Sequence, residues 1–303
     1  MSLQPDSTPD TDTGTFNNQE HPKTNNLFKE SFLRILKSKT SVIGLCIIII
    51  LLLTALLAPL IATHSPTDQS IVNRYQPPSV DHWLGTDELG RDIFSRIVFG
   101  TRISIQIGVI AVGISMIVGV TLGSIAGYFG RWIDMIIMRV IDIMLAFPSV
   151  LLAIALVTIL GPSLRNAMIA VGIVGVPQFA RLVRSSVLSV KETEYIEASK
   201  AIGARNLRTL FGHILPNCLA PIIVQMTLGI GTAILDAAGL SFLGLGAQPP
   251  TPEWGAMLSD GRAALQNAPW VVAFPGVAIF LFVLGFNLFG DGLRDALDPK
   301  LKD

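Results

Sequence analysis

The chain is short of charge, short of cysteine and without a phosphate-binding loop, and each shortage narrows what it does. Charged residues occupy only 15% of 303 positions, and 22 basic side chains balance 22 acidic ones. A net charge of zero gives no reason to expect nucleic acid as a partner. No glycine is followed by lysine anywhere, which excludes a P-loop for ATP. None of the four histidines opens a His-Glu-x-x-His site, so no metal is expected. The two cysteines, Cys46 and Cys218, fall at or within apolar runs and read as buried free thiols. Ser241 sits among small residues but has no intramembrane histidine as a base, which argues against a serine-type membrane protease.

Apolar sequence is what the chain has in quantity. Half of the residues are hydrophobic, and the mean hydropathy is +0.58. A helix needs about 20 apolar residues to cross the hydrocarbon core. Residues 42–62, 103–130 and 271–290 meet that length without a charge, 140–160 contains only Asp142, and 218–245 contains only Asp236. The run 167–180 is shorter, and it reaches spanning length if Arg181 and Arg184 snorkel to the interface. Six spans are therefore expected, the first a retained anchor because it is too long for a signal-peptide core.

The remaining segments follow. Residues 1–26 are polar and read as a disordered cytoplasmic tail. Residues 27–63 combine a short amphipathic segment with the first span, and 64–101 form an external loop. A helical core fills 102–293, with a cytoplasmic loop at 186–217, and 294–303 is a cytoplasmic tail. With the N-terminus inside, 16 Lys and Arg residues fall on the cytoplasmic side and 6 outside, which puts both termini in the cytoplasm. In the external loop Thr86 or Asp87 is expected to cap a helix whose apolar face is Ile93, Phe94, Ile97 and Val98.

Residues 194–216 are the longest polar interruption in the oily part of the chain. Ile196, Ala198, Ala201 and Ile202 share one region of a helix, and Glu197 and Lys200 are polar neighbours three apart. Gly203 permits a tight turn, and Pro216 suits a renewed helix start. Such a helix has nothing of its own to bury against, and periodicity alone leaves a protein groove and a lipid surface equally open.

Those residues also resemble the EAA signature of permease subunits in ATP-binding-cassette importers. Glu197, Ala198, Gly203, Leu215 and Pro216 stand at the signature offsets, while Ser199 and His213 depart from it. Residues 84–92, 234–255 and 290–302 are similar to the oligopeptide, dipeptide and nickel permease family, nearest its second permease subunit in bacterial dipeptide importers. The resemblance implies an all-α type I importer fold with six transmembrane helices, one N-terminal helix before a five-helix core. It implies a non-enzymatic subunit of the bacterial inner membrane that binds no cofactor itself, ATP and Mg being held by partner subunits. The implied partners are a homologous second permease, two ABC ATPases, a periplasmic or lipid-anchored peptide-binding protein and the lipid bilayer. The implied cargo is dipeptides or short peptides, with nickel, glutathione or oligopeptides as alternatives.

The resemblance assigns coupling to the ATPases to Glu197, Ala198, Ser199, Gly203, Leu215 and Pro216. It places Asp87, Arg91, Asp92, Glu253 and Trp254 in external loops that meet the binding protein. Asp236 is expected either to face the translocation path or to bond a neighbouring helix, because an intramembrane acid is costly. Asp142 is expected to pair with Arg139, one turn away. Ser115, Gly119, Gly123 and Gly127 form a small-residue stripe for helix packing, within the subunit or against a second one. Pro148, Pro177 and Pro275 are expected to kink their helices. A stand-alone secondary transporter is the rival class, for which neither inverted repeats nor several midplane charges are evident.

Overall fold

The structure, a computed structural model, describes residues 35–36 and 38–297, with the side chain of Lys200 excepted. The expected N-terminal tail, nearly all of the amphipathic segment and residues 298–303 of the expected C-terminal tail lie outside the described residues, whereas residues 294–297 are the last turn of a helix. Among the described residues the chain is helical and contains no strand.

Helix α1, Lys39–Leu56, is almost wholly aliphatic, and the Ser38 hydroxyl accepts from the Ser41 amide at its start. Helix α2, Ile93–Phe129, is the longest element. Its 37 residues make roughly 55 Å at 1.5 Å per residue, so it is longer than the hydrocarbon core, which is about 30 Å thick. Asp92 caps it, with Oδ2 accepting from the Ser95 amide at 2.8 Å. The expected cap, Thr86 or Asp87, is corrected by that contact: the helix starts later, and Asp87 is used elsewhere.

The run 140–160 is not one helix. Helix α3, Arg131–Leu145, and helix α4, Ser149–Leu160, meet at a bend of 94°. Pro148 has no amide to donate and disfavours helical geometry in Phe147, so the chain breaks there. The expected kink is therefore a full break, and α4 with 12 residues is too short to cross alone. Helix α5, Leu164–Lys191, runs on through Pro177, and α9, Trp270–Leu297, runs on through Pro275. Between them lie α6, Glu194–Ala201, α7, Leu219–Phe242, and the short α8, Trp254–Gly261. Among the described residues five helices (α1, α2, α5, α7 and α9) are long and apolar enough to span, and the bent pair makes a sixth crossing if it is one span.

The centre of the bundle is the α2–α5 seam, and the small-residue stripe makes it. A Cβ on Gly119 would lie 2.5 Å from the Phe179 Cβ, one on Gly123 would meet the Ala180 carbonyl, and one on Gly127 would lie 3.0 Å from the Arg184 carbonyl. The Ser115 hydroxyl donates across the same seam to the Gly172 carbonyl at 2.7 Å. The stripe thus packs inside the subunit, where close backbone approach drives association in lipid. Ile107, Val112, Phe179, Ala233 and Phe282 continue the buried core across α2, α5, α7 and α9. Two long loops gather at the start of α2, and the segment after α5 gathers at its end.

Candidate functional site

At the end of α2 residues 192–218 fold into a separate segment that packs against α2 and α5. Helix α6 ends in a Schellman motif: the Ala204 amide donates to the Ser199 carbonyl at 3.1 Å, with Gly203 at φ +84° between them. A Cβ on Gly203 would meet nothing within 4 Å, so glycine is there for its left-handed backbone and not for lack of space. The chain continues through Asn206–Thr209, a wide π-type turn at Leu210–Ile214 containing His213, and Leu215–Asn217 with Pro216 in its first turn.

The segment has a buried face and a bare one. Ile196, Leu210 and Ile214 are buried against Tyr128 of α2 and Val183 and Val187 of α5. The Tyr128 hydroxyl lies 3.1 Å from Asn206 Oδ1, Lys191 Nζ donates to the Tyr128 carbonyl at 2.6 Å, and Asn217 donates to the Tyr195 hydroxyl at 3.1 Å. The first ties the middle of the segment to α2, the second ties the end of α5 to α2, and the third closes the segment on itself. On the other side Tyr195, Leu207 and Phe211 are exposed, and Ile202 is 87% exposed. Glu197, Ala198, Gly203 and Pro216 share this open surface, with Ser199 and Leu215 half-buried. A hollow of about 320 Å³ beside it is lined by Phe129, Ile133, Leu207 and Phe211.

Deeper in the bundle a cavity of about 400 Å³ opens beside the α3–α4 break. Ser115, Phe147, Ser149, Gln178, Thr232 and Asp236 are among its lining residues. Asp236 is half-buried and makes no hydrogen bond or ion pair among the described residues. The break leaves Ile143, Leu145, Phe147, Val150 and Leu151 exposed along the same side. Asp142 does not pair with Arg139: its Oδ1 accepts from Arg181 at 2.6 Å, and Asp134 takes both arms of Arg184 at 2.5 and 2.6 Å. Arg181 and Arg184 therefore tie α5 to α3.

The two long loops are locked together at the start of α2. Arg91 Nε donates to Asp87 at 2.6 Å and its Nη2 to Glu88 at 2.5 Å, and the same Nη2 lies 3.6 Å from Asp260 of α8. Glu253 caps α8 with both oxygens, accepting from the Gly255 and Ala256 amides at 3.0 and 2.8 Å. The Trp254 indole donates to the Ile97 carbonyl at 3.2 Å. Burial raises the Glu88 carboxyl, with repulsion from Asp87 adding to it, and burial also raises Asp260 and Glu253. Asp87, Arg91, Asp92, Glu253 and Trp254 are all buried, so the expectation that these five form a contact surface is corrected. Their polar groups are consumed within the subunit, and the exposed apolar side chains of that end include Ile71, Val72, Val80, Trp83 and Leu265.

A helical bundle with an unpartnered segment at one end, a cavity at a broken helix and locked loops at the other defines a polytopic membrane permease. The family model described as "Binding-protein-dependent transport system inner membrane component" matches residues 119–303, and that of the N-terminal transmembrane domain of oligopeptide transport permease C matches 26–78. The chain belongs to this family of ABC importer permeases. It is 62% identical to the dipeptide transport system permease protein of Alkalihalophilus pseudofirmus, covering 91% of this chain and 90% of that one. The dipeptide transport system permease protein of Haemophilus influenzae is 52% identical over 88% of this chain and 92% of its own length. The glutathione transport system permease protein of Pectobacterium atrosepticum is 49% identical over 91% and 92%. A chain of the inward-facing MetNI methionine ABC transporter superposes with a TM-score of 0.56 at 19% identity, over 67% of this chain and 97% of that one, and shares the type I importer permease fold.

Proposed function

We propose that the chain carries dipeptides or short peptides across the bacterial inner membrane as one of two permease subunits in an ATP-driven importer. The observation that carries this reading is the segment at 194–216, anchored on one face and bare on the other. Movement of that segment is transmitted through Ile196, Leu210 and Ile214 to α2 and α5, which line the cavity. Two ABC ATPases are the partners for the bare face, and they bind ATP and Mg and hydrolyse the nucleotide. The basic residues favour a cytoplasmic position for it, with both termini on that side.

The cavity is half of a path in this reading. Its open flank at the broken helix is closed by a homologous second permease subunit, and Asp236 meets the ammonium group of the peptide. A periplasmic or lipid-anchored peptide-binding protein docks on the loop end, against Ile71, Val72 and Val80 rather than the buried acids. Lipid covers the remaining apolar surface, and no role for nucleic acid is proposed. Competition among dipeptides, tripeptides and glutathione for uptake by the assembled importer tests the cargo. Dipeptides are expected to compete most strongly, and a preference for glutathione would replace the peptide reading.

A further inference from the structure

We propose that the first long loop holds a divalent transition-metal ion of the Zn²⁺ type between His64, His82 and Asp92. The three residues come from the end of the first span, the middle of the loop and the cap of α2, and the fold brings them together. One ligand atom from each lies within 4.8 Å of the other two. Asp92 Oδ1 is 3.0 Å from His82 Nδ1 and 3.9 Å from His64 Nδ1. Tetrahedral Zn²⁺ with bonds of about 2.0–2.2 Å sets its ligands roughly 3.3 Å apart, so the cluster needs only a small adjustment to close on an ion.

The carboxylate divides its work in a way that suits a metal ligand. Asp92 Oδ2 accepts from the Ser95 amide and hydroxyl at 2.8 and 2.7 Å, which fixes the plane of the group and leaves Oδ1 for the imidazoles. The histidines are held from behind as well. The His64 amide donates to the Ser95 hydroxyl at 3.0 Å, the His82 amide donates to Ser79 at 3.1 Å, and the two rings sit 4.7 Å apart. Such outer contacts orient ligands and tune a metal site. Two imidazoles and one carboxylate suit a borderline cation such as Zn²⁺, whereas Mg²⁺ and Ca²⁺ favour oxygen alone.

Exposure gives the site a direction. The side chains of Asp92, His82 and His64 are 1%, 12% and 42% exposed, so a bound ion has one buried ligand, one half-buried ligand and one open flank where water completes its shell. The consequence is mechanical: the ion would pin the outer end of the first span and the loop to the start of α2. That claim rests on these three residues alone and stands whether or not the cargo is a peptide.

The test uses the full chain, purified in detergent without a polyhistidine tag, stripped with chelator and dialysed against Zn²⁺ or Mg²⁺. The expected result is about one Zn²⁺ per chain, no Mg²⁺ at the same concentration, and a raised unfolding midpoint with Zn²⁺. His64→Gln lowers Zn²⁺ affinity by at least about tenfold, the scale on which even outer contacts weaken metal sites, and His64→Ala with His82→Ala abolishes binding. His64 is partly exposed, so its single variant keeps the fold, and Asp92 is left intact because it caps α2. Absence of saturable Zn²⁺ binding overturns the proposal, as does binding that the double variant retains.

Discussion

Gly203 and Asp236 are single residues whose surroundings state what replacing them does. Gly203 lies in the left-handed region with open space around it, so Gly203→Ala costs only backbone strain, about 1–2 kcal/mol. Gly203→Trp adds bulk on the bare face and abolishes uptake while the subunit still reaches the membrane; normal uptake by that variant contradicts coupling through this surface. Asp236→Asn removes a charged partner without removing volume. Hydrogen bonds to charged groups contribute about 1.5–3 kcal/mol, so peptide uptake at low substrate falls by roughly tenfold or more. Uptake equal to the parent protein would make Asp236 structural only. Glu88 carries a pH dependence with a definite sign. Its folded carboxyl is raised above the ordinary value of 4.5, so the folded state binds more protons and stability falls as pH rises through the window above that value. Glu88→Gln removes this contribution, so the gap between its unfolding midpoint and the parent's is largest at neutral pH and closes on acidification. A gap that widens on acidification contradicts the burial argument. Residue roles of this kind were only partly legible in the sequence. Charges in an external loop read as contact groups, because a sequence does not reveal that Arg91 meets Asp260 across 169 positions. The His64–His82–Asp92 cluster was hidden for the same reason, its members being spread over 28 positions.

Elements were easier to read, because run length is a one-dimensional signal. The spans beginning near residues 42, 167, 218 and 271 stand where the apolar runs put them, and α2 simply extends its run outward by absorbing residues 93–102. The run 140–160 misled because hydropathy is continuous across a backbone break, and only the lack of an amide at Pro148 marks the 94° bend. The stripe at Ser115, Gly119, Gly123 and Gly127 was visible, but which helix it faced was not, since spacing names a face and not a neighbour. The seam makes a direct prediction. Gly123→Ala drives a methyl into the Ala180 carbonyl, an overpacking that costs about 1–3 kcal/mol, and it lowers the unfolding midpoint. Gly113→Ala, which meets nothing within 4 Å, serves as the neutral comparison on the same helix. Equal midpoints for the two variants would show that α2 and α5 do not approach so closely.

Across the whole molecule, the bare segment and the cavity occupy the same two helices. The seam between α2 and α5 is closely packed from Ser115 and Gly172 to Gly127 and Arg184, so in the proposed reading the pair moves as a unit and links the bare segment to the cavity wall without a separate relay. At the other end the two loops are held to each other and to α2 through Arg91, Asp260 and Trp254. The central claim is that transport needs partner ATPases acting through residues 194–216. Its most direct measurement is peptide uptake into vesicles reconstituted with this chain, its second permease and the ATPases, with and without ATP. The account predicts uptake only with ATPases and ATP together, and none when Gly203→Trp replaces the parent chain in an intact complex. Peptide accumulation by this chain alone, in vesicles free of ATP, would contradict it.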